Sequence, residues 1–465
     1  MKVKFLLTWL FGTLLFTACQ SSVIPQSNEH EVIVTRETPT KTSDAESSFT
    51  ETPTIAVTVP ISVPSPTLTL TITPFVTPLP SSSNPSVSTD GHYIVFTSDA
   101  NYLVAEDTNW VSDVFVYELL SSNVERVSQA TNGNQANAYS VSSIGCSISA
   151  DGRFVVFSSS ATNLSSNDVA PNADVYIHDR FTSQTDLISI GLGGVQSNGD
   201  SVAPCISANG QYVVFASSAS NLVANDSNGF MDIFIHAQET NLIKRVSEAV
   251  DGTQSNSYSV SPVISADSSY IAFESYADNL VSNDTNGRQD IFVKNRITGE
   301  VERITTDLGG GGPVFSGDGR LLAFTDGASV IVLNLQEKAV TWGNLVRIEP
   351  VHGSLEGARW ISLSEDGRYI VFLSELSNLV GDDTNGMQDI FMYDIETDEI
   401  KRINMSSEGS EVENLSSQPV ISANGSYVVF MSLASLLPED TNGVADIYLY
   451  DRNTGEITWI STSHP

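Results

Sequence analysis

The chain has 465 residues, with 55 Asp and Glu against 21 Lys and Arg, and a formal net charge of −34. A surface of that sign repels nucleic-acid phosphates and anionic headgroups, so neither is expected as a partner; cations or basic partners would be attracted, and much of the charge is plain solvated surface.

Residues 1–18 read as a lipoprotein signal peptide. Lys2 and Lys4 precede the apolar run Phe5-Leu-Leu-Thr-Trp-Leu-Phe-Gly-Thr-Leu-Leu-Phe, which is short for a spanning helix and has the charged start of an export signal. Phe16-Thr-Ala-Cys19 resembles a bacterial lipobox, with Phe16 where Leu is usual. That resemblance implies lipidation of Cys19 and an extracytoplasmic, membrane-anchored protein of the cell envelope. Residues 19–83 are rich in Ser, Thr and Pro, and ten of the eighteen prolines precede residue 86. Such a composition reads as an extended tether. Within it, Thr67–Thr73 alternates Thr with Leu or Ile, the pattern of a strand, but prolines flank it.

From residue 84 to 465 the chain repeats itself. Seven apolar runs close on Phe96, Phe157, Phe215, Phe273, Phe324, Phe372 and Phe430, at spacings of 61, 58, 58, 51, 48 and 58. A fixed period of this kind decides the architecture. Each unit carries four strand signals. The first strand is introduced by Pro at Pro85, Pro204, Pro262, Pro313 and Pro419. It ends on an Asp-Gly or Asn-Gly turn, such as Asp90-Gly91 or Asn209-Gly210, with Asp267-Ser268 the one departure. These pairs accept the positive φ of a hairpin turn. The second strand is almost continuously apolar, as in Tyr212-Val-Val-Phe215, which suits a sheet covered on both faces. A polar loop leads to the third strand (Asp290-Ile-Phe-Val-Lys294), and the fourth alternates, as in Val301-Glu-Arg-Ile304. Four antiparallel strands per unit predict an all-β fold, a seven-bladed β-propeller with a disordered tether before it. No strand is left over for sharing between the termini, so closure is expected to rest on packing between blades one and seven.

The Ser-x-Asp-Gly-x-Tyr-Val-Val-Phe…Asp-Ile-Tyr-Leu-Tyr-Asp pattern resembles the WD-repeat-like units of TolB-type propellers over residues 84–465. TolB has six blades behind an α/β domain; this chain has seven units and a tether. The resemblance implies the fold and does not specify a function.

The polar loop is the motif most open to chemistry. Its oxygens at positions one, three and seven are Asp107, Asn109 and Asp113; Asp226, Asn228 and Asp232; Asp284, Asn286 and Asp290; Asp383, Asn385 and Asp389; and Asp440, Asn442 and Asp446. Around a Gly turn they could converge on a hard cation, calcium being the natural candidate. The alternative is that Asp and Asn cap turns through their own backbone. The second unit keeps Asp168 and Asp174 but has Ala170 between them, and the fifth replaces the loop with Asp326-Gly-Ala-Ser.

Cys146 and Cys205, aligned through Asp151 and Asn209, fall one position apart in neighbouring first strands. Adjacent positions face opposite ways along a strand, which opposes a disulfide and suggests two small buried residues. The six histidines form no metalloprotease pair, and there is no nucleophile elbow or phosphate loop. His178 and His236 share the third-strand slot of Tyr117 and Tyr450. The fifth unit is irregular, with a run from Trp342 to Trp360 that could mark a functional face. Two functions remain: a monomeric, non-catalytic binding or scaffold module for a protein or glycan, or an extracytoplasmic hydrolase or lyase working at the central channel. Carboxylates or histidines gathered at the channel mouth would favour the enzyme.

Overall fold

A computed structural model of the protein describes residues 80–305, 308–326, 329–335, 345–348 (backbone only) and 358–462. The signal-like segment, Cys19, Thr67–Thr73, nearly all of the tether and the run 349–357 lie outside the described residues. The described chain forms seven four-stranded antiparallel sheets, each built from four consecutive strands in sequence order. The blades span 82–126, 140–187, 201–245, 259–303, 311–348, 359–402 and 416–459. All seven anchor phenylalanines lie in second strands and are buried. In six blades the anchor ring stacks on an aromatic ring of the third strand, from Phe157–Tyr176 at 5.6 Å to Phe430–Tyr448 at 6.1 Å. These stacked pairs fill the space between blades, which is why the second strand tolerates no polar alternation.

First strands pack on first strands of the neighbouring blades and so line the channel. The ring closes as the repeat count requires. Val87, Ile94 and Phe96 of blade one share a buried cluster with Val420, Val429, Ile447 and Leu449 of blade seven. Ser82 N donates to Ala445 O (2.7 Å), and Asn84 N to Gln418 Oε1 (2.7 Å). Blades one and seven pack together as expected, with these hydrogen bonds added and no strand exchanged between them; the first sheet begins at Ser82, two residues before the expected boundary.

Each Asp-Gly or Asn-Gly turn locks one blade to the previous one. In blade two, Ser149 Oγ donates to Asp151 Oδ1 (2.6 Å) and Gly152 N to Ser149 O (3.0 Å). Gly152 holds φ +70°, and a Cβ on it would stand 2.2 Å from Cδ2 of Tyr93 in blade one. Gly91 against Tyr427 and Gly210 against Phe154 repeat the contact. Gly152→Ala is therefore expected to cost about 2–4 kcal/mol, from left-handed strain plus overpacking. Gly229→Ala, at φ +72° with nothing within 4 Å, should cost only about 1–2 kcal/mol, the strain alone. Urea midpoints of the two variants measure the difference, and equal midpoints would remove the ring contact from the account.

The prolines at the start of the first strand follow a bulge. Asn84, Ala203, Ser261, Gly312, Trp360 and Gln418 hold φ between 51° and 66° where the pairing register shifts. A bulge frees one backbone N–H from the ladder, the position Pro can accept. Blade two departs: its first strand stops at Ser142, and the extra residues that give the 61-residue spacing carry Cys146 inward. The alternation argument about the cysteines does not survive this insertion. Ile206 N donates to Cys146 O (3.0 Å), and the two free thiols meet across the seam between blades two and three. Their hydrogen bond, then burial, pushes the Cys146 thiol well above its ordinary value.

Candidate functional site: the polar loops and the face they form

In every blade the loop from second to third strand emerges at the same end as the connection to the next blade. Ser140 N donates to Ser112 O (2.7 Å), Ser201 N to Ala173 O (2.6 Å) and Ser259 N to Met231 O (2.9 Å), tying each loop to the start of the following blade. One face of the ring therefore carries all the polar loops and the channel mouth.

Within each loop the Asn is consumed by the backbone. Asn109 Nδ2 donates to Asp113 Oδ2 (2.7 Å) and to Ala136 O (3.0 Å), and its Oδ1 accepts from Val111 N (3.3 Å). Asn228 and Asn385 repeat the two backbone contacts, Asn228 also donating to Asp232 (2.8 Å). Asn286 and Asn442 donate to Asp290 (2.7 Å) and Asp446 (2.8 Å). An amide nitrogen aimed at the last Asp is a turn clamp rather than a ligand oxygen.

The two Asp residues of the loop do converge, and in four blades a guanidinium sits between them. Arg126 lies 3.5 Å from Asp107 and 4.0 Å from Asp113; Arg245 lies 3.3 Å from Asp226 and 3.9 Å from Asp232. Arg303 lies 3.0 Å from Asp284 and 3.6 Å from Asp290; Arg402 lies 3.6 Å from Asp383 and 3.2 Å from Asp389. Each arginine ends its blade's fourth strand, opposite a Phe of the third strand. Blades two and seven have Leu187 and Trp459 at that position, and there the third strand offers Tyr instead of Phe. The Tyr176 hydroxyl donates to Asp168 and the Tyr448 hydroxyl to Asp440. The repeat thus neutralises the first loop Asp in one of two ways, by Arg across from Phe or by Tyr with no Arg.

Burial is the largest influence on these acids. It pushes Asp113 up to about 6 against hydrogen bonds from Ser128 and Asn109, and it raises Asp107, Asp226, Asp284, Asp383, Asp389 and Asp446. Blade six adds a third carboxylate. Carboxylate oxygens of Asp383, Asp389 and Glu411 lie within 4.8 Å of one another, the one such group among the described residues that could hold a metal ion. Arg402 occupies that cluster, with its Nη1 donating to Glu411 Oε1 at 2.8 Å. Burial pushes Glu411 up, but hydrogen bonds from Thr384 and Arg402 outweigh it and bring the carboxyl down to about 2.

The sequence-level reading found the carboxylates and missed their cations. The signal was present: Val124-Glu-Arg126, Ile243-Lys-Arg245, Val301-Glu-Arg303 and Ile400-Lys-Arg402 recur, and they lapse only where Phe becomes Tyr among the blades with a full loop. His178 and His236 take the register slot of Tyr117 and Tyr450. Burial lowers His178 to about 4 and lowers His236, so both stay neutral. At the bulge of the channel-lining strands stand Asn84, Ala203, Ser261, Gly312, Trp360 and Gln418, a set without carboxylate or imidazole.

No protein-family model and no curated protein sequence matches the chain. Solved structures do. The chain is similar to a puromycin-hydrolysing peptidase of Mycobacterium tuberculosis at 12% identity and TM-score 0.50, covering 83% of this chain and 54% of that one. An oligogalacturonate lyase of Vibrio parahaemolyticus gives 13% identity and TM-score 0.49 over 79% and 88% of the two chains. TolB of Acinetobacter baumannii gives 12% and 0.38 over 79% and 79%. This chain spans about half the length of the peptidase. At such identities the likenesses speak to architecture alone. By its fold the chain is a seven-bladed, all-β propeller of four-stranded antiparallel sheets.

Proposed function

We propose that this protein is a non-catalytic binding or scaffold module of the cell envelope, held by a lipid on Cys19 and presenting the loop face of its propeller to a protein or glycan. The observation that carries it is where the reactive groups have gone. The first loop acids are committed to Arg or Tyr, the buried histidines are neutral fillers, and the six described bulge residues carry no carboxylate or imidazole; the one buried carboxylate that reaches a bulge, Glu274, is held by Gly312 N and Gln289. Among the described residues no helix is long and apolar enough to cross a membrane.

A pull-down with the full chain from native envelope tests the binding role. Recovery of a partner that protects the polar loops from proteolysis is the expected result. Turnover of a peptide or polysaccharide panel, lost when the channel mouth is altered, would overturn it in favour of an enzyme. Cys19→Ser is expected to release the protein from the membrane fraction, and retention there would sink the lipid anchor.

At the sixth blade, where Asp383, Asp389 and Glu411 gather around Arg402, calcium would bind in place of the guanidinium rather than beside it. In the four arginine-bearing blades the guanidinium supplies the positive charge the ion would bring.

A further inference from the structure

Two exposed tryptophans stand where the repeat elsewhere places small or polar residues. Trp110 holds φ +60° at the loop position that is Gly229, Gly287, Gly386 and Gly443 in other blades, all at φ between 63° and 72°. Trp360 holds φ +51° at the first-strand bulge, where the other blades have Asn, Ala, Ser, Gly or Gln. Left-handed backbone is unfavourable for a bulky side chain and natural for Gly. The rings gain little by burial in return, since Trp110 is 73% exposed and Trp360 48%. Strain kept without a packing reward is a mark of a ligand-contacting position.

Both lie on the polar-loop face. Trp110 belongs to the loop between second and third strands of blade one, and Trp360 is the second residue of the channel-lining strand of blade six. Tyr102, Tyr139, Tyr258 and Tyr276 are exposed at the same end of their blades. Burial, then the Asp446, Asp99 and Asp440 carboxylates, push Tyr102 up to about 12, which places it against the loop of blade seven. The opposite face treats its rings differently. Arg180, Arg296 and Arg452 cover Tyr93, Tyr212 and Tyr369 at 4.3–4.4 Å, and Arg153 stands 5.5 Å from the ring of exposed Phe181. Guanidinium groups therefore cap aromatic rings at one end of the ring of blades, while at the loop end the rings stay exposed, Tyr258 meeting only Phe230 edge-on at 5.0 Å.

These rings are spread over four of the blades, one or two on each, among Asn, Asp, Ser and Gln side chains. A protein interface would gather them into an apolar core. Separate platforms amid hydroxyl-binding groups suit the stacked C–H faces of sugar rings, whose polarised hydrogens meet the negative face of an aromatic ring. The net charge of −34 turns away uronate and sulfated polymers. We propose that the loop face binds a neutral glycan whose sugar rings stack on Trp110 and Trp360. This rests on the binding-module reading and narrows its ligand.

The test is calorimetric titration of the full chain with neutral β-linked glucose and N-acetylglucosamine oligosaccharides of six or more units (~6 rings, to span platforms on separate blades). Saturable binding to one series is expected, weakened at least about tenfold in Trp110→Gly and in Trp360→Ser. Trp110→Gly should at the same time raise the melting temperature, because it relieves the strain; a merely structural tryptophan would lower it. Glycine already serves this position in four blades, so the variant keeps its fold. Absence of saturable binding to both series, or unchanged affinity in both variants, overturns the proposal. An envelope protein retained equally by wild type and both variants would overturn the glycan while leaving the binding module standing.

Discussion

Arg402→Ala is expected to lower stability by about 3–5 kcal/mol, because it strands carboxylates that its guanidinium neutralises. Arg402 is 4% exposed and touches Asp383, Asp389 and Glu411 at 3.6, 3.2 and 2.8 Å. Removing one partner of a buried ion pair costs far more than the pair itself contributes, since the remaining charge has lost its water as well. The variant also yields a sharper result. With the guanidinium gone, three carboxylates whose oxygens lie within 4.8 Å form an oxygen-rich cage. Calcium should then recover much of the lost melting temperature, and a chelator should take it away again. Wild type should shift little under the same titration. A calcium-dependent rise in wild type, abolished by Asp383→Asn, would show that the ion and Arg402 share the blade. Arg245→Ala, lacking the third carboxylate, should be destabilised without calcium rescue.

Stability should be greatest in mildly acidic solution and fall on both sides. Asp113 has its carboxyl raised by burial from 3.8 to about 6 in the fold. A group that holds its proton more tightly when folded contributes fully below its unfolded value, and that contribution disappears as pH rises through the folded one. From Asp113 alone the loss between pH 4 and pH 8 is about 3 kcal/mol, and the raised loop acids of the other blades act in the same direction. The acid limb has the opposite origin. Asp179, held down to about 2 by Arg153, and Glu411, held down to about 2 by Thr384 and Arg402 against its burial, contribute above their unfolded values and lose that contribution as pH falls toward 2. Melting temperatures between pH 3 and pH 9 (~1-unit steps) should peak near pH 4–6. Asp113→Asn should flatten the alkaline limb, because the amide keeps a hydrogen bond from Ser128 without ionising. A melting temperature that climbs steadily from pH 5 to pH 8 would contradict the assignment.

Blade number, strand order and turn type were legible because each repeats a local rule. A Phe every 48 to 61 residues, an Asp-Gly turn before it and an apolar second strand are short-range patterns that name their own structure. The longest spacing, 61, carried the misreading of the cysteine geometry. The inserted residues of blade two moved Cys146 off the strand register, and alternation along a strand no longer applied. The polar loops were found for the same local reason, since Asp-x-Asn-Gly is a recognisable turn.

What the sequence by itself determined is a seven-bladed propeller in which six blades carry paired loop carboxylates. Periodicity is a property of the chain, and four short strands per period leave few ways to bury their faces. Only the tertiary structure decided what stands between those carboxylates. Arg126 is 19 residues from Asp107, and Arg402 lies at the far edge of its sheet. Pairing of the fourth strand with the third brings each guanidinium beside the acid that opens the third strand, and that register is set by the sheet rather than by local spacing. The same holds for Trp110 and Trp360: as letters they are two residues among 465. Folded, they share one face, on backbone that the rest of the repeat reserves for smaller side chains.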